Sequence, residues 1–232
     1  MKKIVSLLLV LVVALGCVGL AACGGDDDGA TTPDNGASQP ADSGNGGNGG
    51  DEGDNGGDGE DLGDIVSQGA GIDSVSYTME TTAPGTPMIT TQMWVEGNNI
   101  RMEMDEQGQH IIYLSNYSTG KAYMYMPDQN MALEMDISQM NPPDYEAVQD
   151  IPDYNYTIVG TETMDGKVCL VVEYSAAGAT VKSWIWKQHG FPIRTESTTS
   201  EGKIIVVFKD IDFGDINDSL FELPEGVQII GS

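Results

Sequence analysis

The feature that most constrains this 232-residue chain is alternation. In run after run beyond Val75, apolar side chains take every second position, the period of a strand with one face turned to a core. Val75-Ser76-Tyr77-Thr78-Met79 alternates, as does Ile100-Arg101-Met102-Glu103-Met104-Asp105 with its charges on the other face. His110 to Leu114 and Ala122 to Met126 follow, and Asp128-Gln129-Asn130 turns the chain into Met131 to Met135. Further runs cover Thr157–Thr163, Val168–Tyr174, Val181–Trp186, Ile193–Thr198 and Ile204–Ile211, with turn pairs at Asp165-Gly166, Ala177-Gly178, His189-Gly190 and Glu201-Gly202. This pattern predicts a mainly β domain of about ten to eleven sequential strands joined by short hairpins, an up-and-down sheet that is curved or closed. Helix is scarce. Leu62, Ile65 and Val66 have helical spacing within Asp61–Gly69, and Pro142-Pro143 restricts Ser138–Asp153 to a loop or short helical turns.

The N-terminus has a different grammar. Met1-Lys2-Lys3 is a short positive region, Ile4 to Leu20 is an apolar run, and Leu20-Ala21-Ala22-Cys23-Gly24 closes it. The ending resembles a bacterial lipobox, which implies diacylglyceryl transfer to the Cys23 thiol and cleavage before it. Cys17, preceded by Ala14-Leu15-Gly16, fits less well because alanine takes the place of the leucine. An uncleaved helix is the alternative, since an apolar run of about 17 residues is at the lower limit for spanning a bilayer. Residues 1–22 are therefore expected to be a lipoprotein signal peptide, leaving a domain tethered outside the cytoplasm to a cell or outer membrane. Two acyl chains suffice for stable anchoring.

Residues 23–60 are expected to be the lipidated cysteine and a spacer. From Gly24 to Asp64 the chain is nearly all Gly, Asp, Asn, Ser, Thr, Pro and Glu, with no Lys or Arg, a composition that cannot bury a core. An EF-hand reading of Asp51 to Glu60 fails, because starting from Asp51 or Asp54 puts Gly53 or Gly56 where an oxygen ligand is needed. The whole chain carries 36 acidic and 10 basic residues, a net charge of -26, and this makes nucleic acid an improbable partner. Residues 61–232 are expected to be the folded domain.

The order of segments there, "YTMETTAPG", "MWVEGNNIRMEM", "YMYMPDQNMALEM", "DGKVCLVVEY", "KSWIWKQHGFPIRTE" and "IDFGDINDSLFELPEGV", resembles the LolA/LolB-like superfamily of bacterial lipoprotein carriers and their relatives. The likeness rests on the polar turn Gly97-Asn98-Asn99 leading to Arg101, a tyrosine strand leading to a proline turn, and the Trp184–Arg194 hairpin. The resemblance implies a strongly curved antiparallel sheet, an open half-barrel with few short helices on its concave side, whose apolar concave face accepts acyl chains or another hydrophobic ligand.

Catalytic signatures are absent: no G-x-S-x-G elbow, no phosphate loop and no zinc spacing occur, so no enzyme, no cofactor and no metal is expected. His110 and His189 read as ordinary strand and turn residues, and Cys169 as a buried thiol between Lys167 and Val171 on one strand face. Trp184 and Trp186 share a face opposite Ile185. Methionine is in excess, with 12 in all and ten between Met79 and Met140. Flexible, polarisable thioethers suit a surface that accommodates varied apolar shapes. The candidate ligand-lining set is Ile100, Met102, Met104, Ile112, Leu114, Met124, Met126, Met131, Leu133 and Met135. The reading is an envelope lipoprotein that carries or senses a lipid or other hydrophobic ligand. The alternatives are an envelope interaction protein of the same fold with a filled core, or a Cu(I) site built from Met102, Met104, Met124 and Met126.

Overall fold

Each alternating run becomes a strand in the computed structural model, which describes residues 61–139 and 144–231. The expected signal peptide, Cys23 and the expected spacer lie outside the described residues. The first meander comprises β1 (Ser74–Thr82), β2 (Ile89–Glu96), β3 (Asn99–Glu106), β4 (Gln109–Asn116), β5 (Lys121–Met126) and β6 (Met131–Asp136). A second comprises β7 (Tyr156–Met164), β8 (Lys167–Ala176), β9 (Ala179–Trp186), β10 (Phe191–Thr199) and β11 (Gly202–Asp212). A short β12 (Gln228–Ile230) completes a 12-stranded sheet. Of these, β2 and β12 go beyond the alternating runs. In β2 a threonine, Thr91, takes a buried position while Trp94 faces the other way, which blurs the period; β12 is three residues long and owes its pairing to distant chain.

The topology is not one sequential meander. Strand order is β12-β6-β5-β4-β3-β2-β1-β11-β10-β9-β8-β7, so the two meanders join through antiparallel β1 and β11, while β12 pairs parallel to β6. The order is linear, which leaves β7 and β12 as edges among the described residues. Hairpins close at the expected turn pairs. Asp165-Gly166 (φ 49° and 76°) and Ala177-Gly178 (φ 49° and 83°) have both central residues left-handed, the turn geometry that matches strand twist.

Register fixes two faces. Helix α1 (Leu62–Gly69) begins where the Asp61 side chain accepts a hydrogen bond from the Gly63 amide at 2.9 Å. Its Leu62, Ile65 and Val66 form one stripe that packs on Leu170, Val172, Val181 and Ile185 of β8 and β9. Gly69 lets the helix end approach the β9–β10 turn, because a Cβ there would meet the Gly190 carbonyl oxygen at 2.6 Å. The 3₁₀ segment Asp144–Asp153 lies on the same face and adds Val148 and Ile151 to that core. This is the helix-bearing face.

Across the opposite face runs a C-terminal strap. Ser74 Oγ donates to the Gly214 carbonyl (2.7 Å) and Arg101 Nη1 to the Leu220 carbonyl (2.7 Å). Leu223 and Val227 then cover Ile112, Leu114, Tyr125 and Ala132, and Asn130 Nδ2 donates to the Gly226 carbonyl (3.0 Å) just before β12. Beyond the strap, that face is closed by Trp184, Cys169, Val171 and Ile193. Lys182 and Arg194 lie over the Trp184 ring at 4.8 and 5.6 Å.

Candidate functional site

On the helix-bearing face of the first meander, direct register pairs link Tyr77 to Met93, Met93 to Met102, Met102 to Tyr113, Tyr113 to Met124, Met124 to Leu133, and Leu133 to Ile230. Directly paired residues share a face and touch, so seven strands contribute one apolar row. The row passes from core to surface: Tyr77 is 3% exposed, Leu133 37% and Ile230 42%. A parallel row holds Val95, Ile100, Ser115, Ala122 and Met135. Met104, Met126 and Met131 also project from this face.

Eight of the ten residues in the candidate set are thus brought to one face. Ile112 and Leu114 are not; they pair with Tyr125 and Tyr123 on the opposite face, where Leu223 and Val227 cover them. The reason is visible in β4. His110-Ile111-Ile112-Tyr113-Leu114 is apolar on both sides because the strap buries the second side, and a strand buried twice has no readable phase. Tyr77, Met93, Tyr113 and Ile230 belong to the row and lie outside the set; for Tyr113 the available signal is a tyrosine one residue from Leu114. Tyr113 also stands between the Met102 and Met124 positions, so these two methionines are not cross-strand neighbours.

Toward the second meander the same face carries hydroxyls among its apolar side chains. Ser183, Thr195 and Tyr174 line a cavity of about 20 Å³ with Ala147, Val148, Val206 and Phe208. Ser183 Oγ and Thr195 Oγ1 are 3.4 Å apart. That volume holds about one water. The buried hydroxyls Ser115 Oγ and Ser197 Oγ of this face have no hydrogen-bond partner among the described residues.

Titration follows burial. Burial pushes the Tyr174 and Tyr113 phenols up, Tyr113 being raised further by Glu106. Tyr117 is raised by burial and then by Glu146 of the 3₁₀ segment, whose own carboxyl is raised by burial and by Asp150. Cys169 is buried and its thiol is pushed up by burial. His189 sits against Trp186 and Phe213, with ring centroids at 4.3 and 4.4 Å, and burial lowers its pKa. His110 lies on the opposite face, Nδ1 3.0 Å from Asp105 Oδ1 and Nε2 3.4 Å from Glu103 Oε2. Among the described residues no group of three His, Cys, Asp or Glu side chains could hold a metal ion, and no helix is long and apolar enough to cross a membrane.

Comparisons with known proteins agree with the architecture. The family model described as a domain of unknown function, DUF4412, matches residues 76–190. An uncharacterized conserved protein from Thermus thermophilus is similar in structure, with TM-score 0.53 and 11% identity, covering 72% of this chain and 96% of that one. Also similar are the Mycobacterium tuberculosis lipoprotein LppX (TM-score 0.48, 14% identity, 67% and 97% covered) and a Pseudomonas aeruginosa structure of MucA with MucB (0.49, 16%, 75% and 64%). No curated protein matches the chain. The fold, mainly β with one large and largely antiparallel sheet, is shared with the Thermus thermophilus protein.

Proposed function

We propose that this protein is a non-catalytic envelope lipoprotein, anchored through Cys23 and raised on the residue 23–60 spacer, that binds a lipid or other hydrophobic ligand on the helix-bearing face of its first meander. The observation that carries the reading is the cross-strand row from Tyr77 through Met93, Met102, Tyr113, Met124 and Leu133 to Ile230. A sealed core would be buried along its length, whereas this row rises to the surface at one end. Met102, Met124, Met131 and Met135 are all half-buried, the exposure expected of a pliable lining that a guest completes. Ligand sites of this kind span about 300–1,000 Å³, so the guest lies along the row and not in the water-sized cavity beside Ser183.

The test is a titration of the methyl-labelled full chain with a twelve-carbon fatty acid in a compatible detergent. Resonances of Met102, Met124 and Met135 are expected to shift together, and Met124→Glu to abolish the effect. Shifts confined to exposed Met88, or none at all, would remove the reading.

A further inference from the structure

We propose that the outer edge of β7 is a docking strip for an extended, net-basic segment of another protein, which adds to the sheet as a further strand. The inference stands apart from the ligand reading, because it uses the other end of the sheet. Among the described residues β7 pairs only with β8, so one side of a nine-residue strand offers its backbone donors and acceptors outward. The other edge, β12, is blunted by its length of three residues.

Sheets usually guard a long edge with lysine, proline or inward charge. Tyr156-Thr157-Ile158-Val159-Gly160-Thr161-Glu162-Thr163-Met164 has no lysine and no proline. Its one charged side chain is engaged elsewhere, since Glu162 Oε2 accepts from Trp184 Nε1 at 2.8 Å. A register shift between Ile158 and Gly160 is the one interruption in the β7–β8 ladder, and pairing is regular from Gly160 to Met164. Apolar side chains flank the strip at both ends: Ile158 is 44% exposed and Val159 51%, and Val168 of β8, opposite Thr163 near the β7–β8 turn, is exposed too. Backbone pairing would supply affinity and these side chains would select apolar residues at alternate positions of the guest.

Charge selects the occupant. The hairpin from Asp153 to Ala176 holds Asp153, Glu162, Asp165 and Glu173 against Lys167 alone, and the chain from Ile65 onward carries 24 acidic and 8 basic residues. A second copy and the protein's own acidic spacer are repelled; a segment with lysines or arginines beside its apolar residues is attracted.

The experiment uses the full chain in detergent and a probe peptide, Lys-Val-Thr-Val-Thr-Val-Thr-Val-Lys, followed by fluorescence anisotropy and amide exchange. Binding that weakens with salt, with slowed exchange across 156–164, is expected. Methylation of every second peptide nitrogen should weaken it by about tenfold or more, because the ladder bonds are lost. Ile158→Lys should do the same with circular dichroism unchanged, and Val168→Lys, which leaves the edge backbone intact, should weaken it severalfold. Absence of binding, protection at 228–230 or on the methionine face without change in β7, or self-association through β7 in place of peptide binding would each overturn the proposal.

Discussion

Replacing Gly190 by alanine tests how α1 is seated. Gly190 has φ +61°, and a Cβ there would stand 2.3 Å from the Ile65 carbonyl oxygen and 2.6 Å from the Gly69 amide nitrogen, both backbone atoms of the helix end. The left-handed conformation alone costs alanine about 1–2 kcal/mol. Relief of the clash requires retreat of the helix from 2.3 Å to ordinary contact near 3.4 Å, and this loosens Leu62, Ile65 and Val66 together. Full burial of such side chains is worth roughly 1.5–3 kcal/mol each, so losing part of three adds about 2 kcal/mol. Gly190→Ala should therefore cost about 3–4 kcal/mol. Gly178→Ala is the control: φ is +83° with nothing within 4 Å of its Cβ, so only the conformational cost of about 1–2 kcal/mol applies. Urea unfolding of the two variants measures the difference. Equal destabilisation would show that the helix does not depend on the close approach at the β9–β10 turn, and would refute the seating argument.

Three other outcomes follow from the same structure. Arg101→Ala removes the hydrogen bond to the Leu220 carbonyl and the ion pair with Glu103, so the strap should lose about 1.5–3 kcal/mol of attachment and amide exchange across 217–227 should accelerate; Arg101→Lys should rescue little, lacking the forked donor. Glu196 is held below the usual carboxylate range by the Lys203 hydrogen bond and then by Arg194, so it stabilises the fold above its unfolded pKa and this contribution is lost as pH falls through the depressed value; Glu196→Gln should flatten the acid limb of a stability–pH curve. Cys169, buried with a raised pKa, should react with a thiol reagent only at the rate of unfolding, measured by peptide mass analysis with and without urea.

What the sequence made legible was local. Strands such as Ile100–Asp105 are buried on one side and solvated on the other, so alternation gives both their existence and their phase. The glycine turns at Asp165-Gly166 and Ala177-Gly178 were readable because two consecutive left-handed residues require such pairs. Long-range order was not legible. Nothing in Thr78 or Lys209 announces that β1 and β11 will pair, and the strap that buries Ile112 and Leu114 lies about a hundred residues away from them. That distant cover is why alternation alone groups Ile112 and Leu114 with the methionines although they belong to the opposite face, and why it does not single out Tyr113 between Met102 and Met124.

The most direct measurement is native mass spectrometry of the full chain extracted from a bacterial envelope under gentle conditions. The account predicts a bound species in the lipid mass range, beyond the expected anchor at Cys23, that is lost from the Met124→Glu variant while its fold is retained. A protein that emerges bare and takes up no added lipid would contradict it.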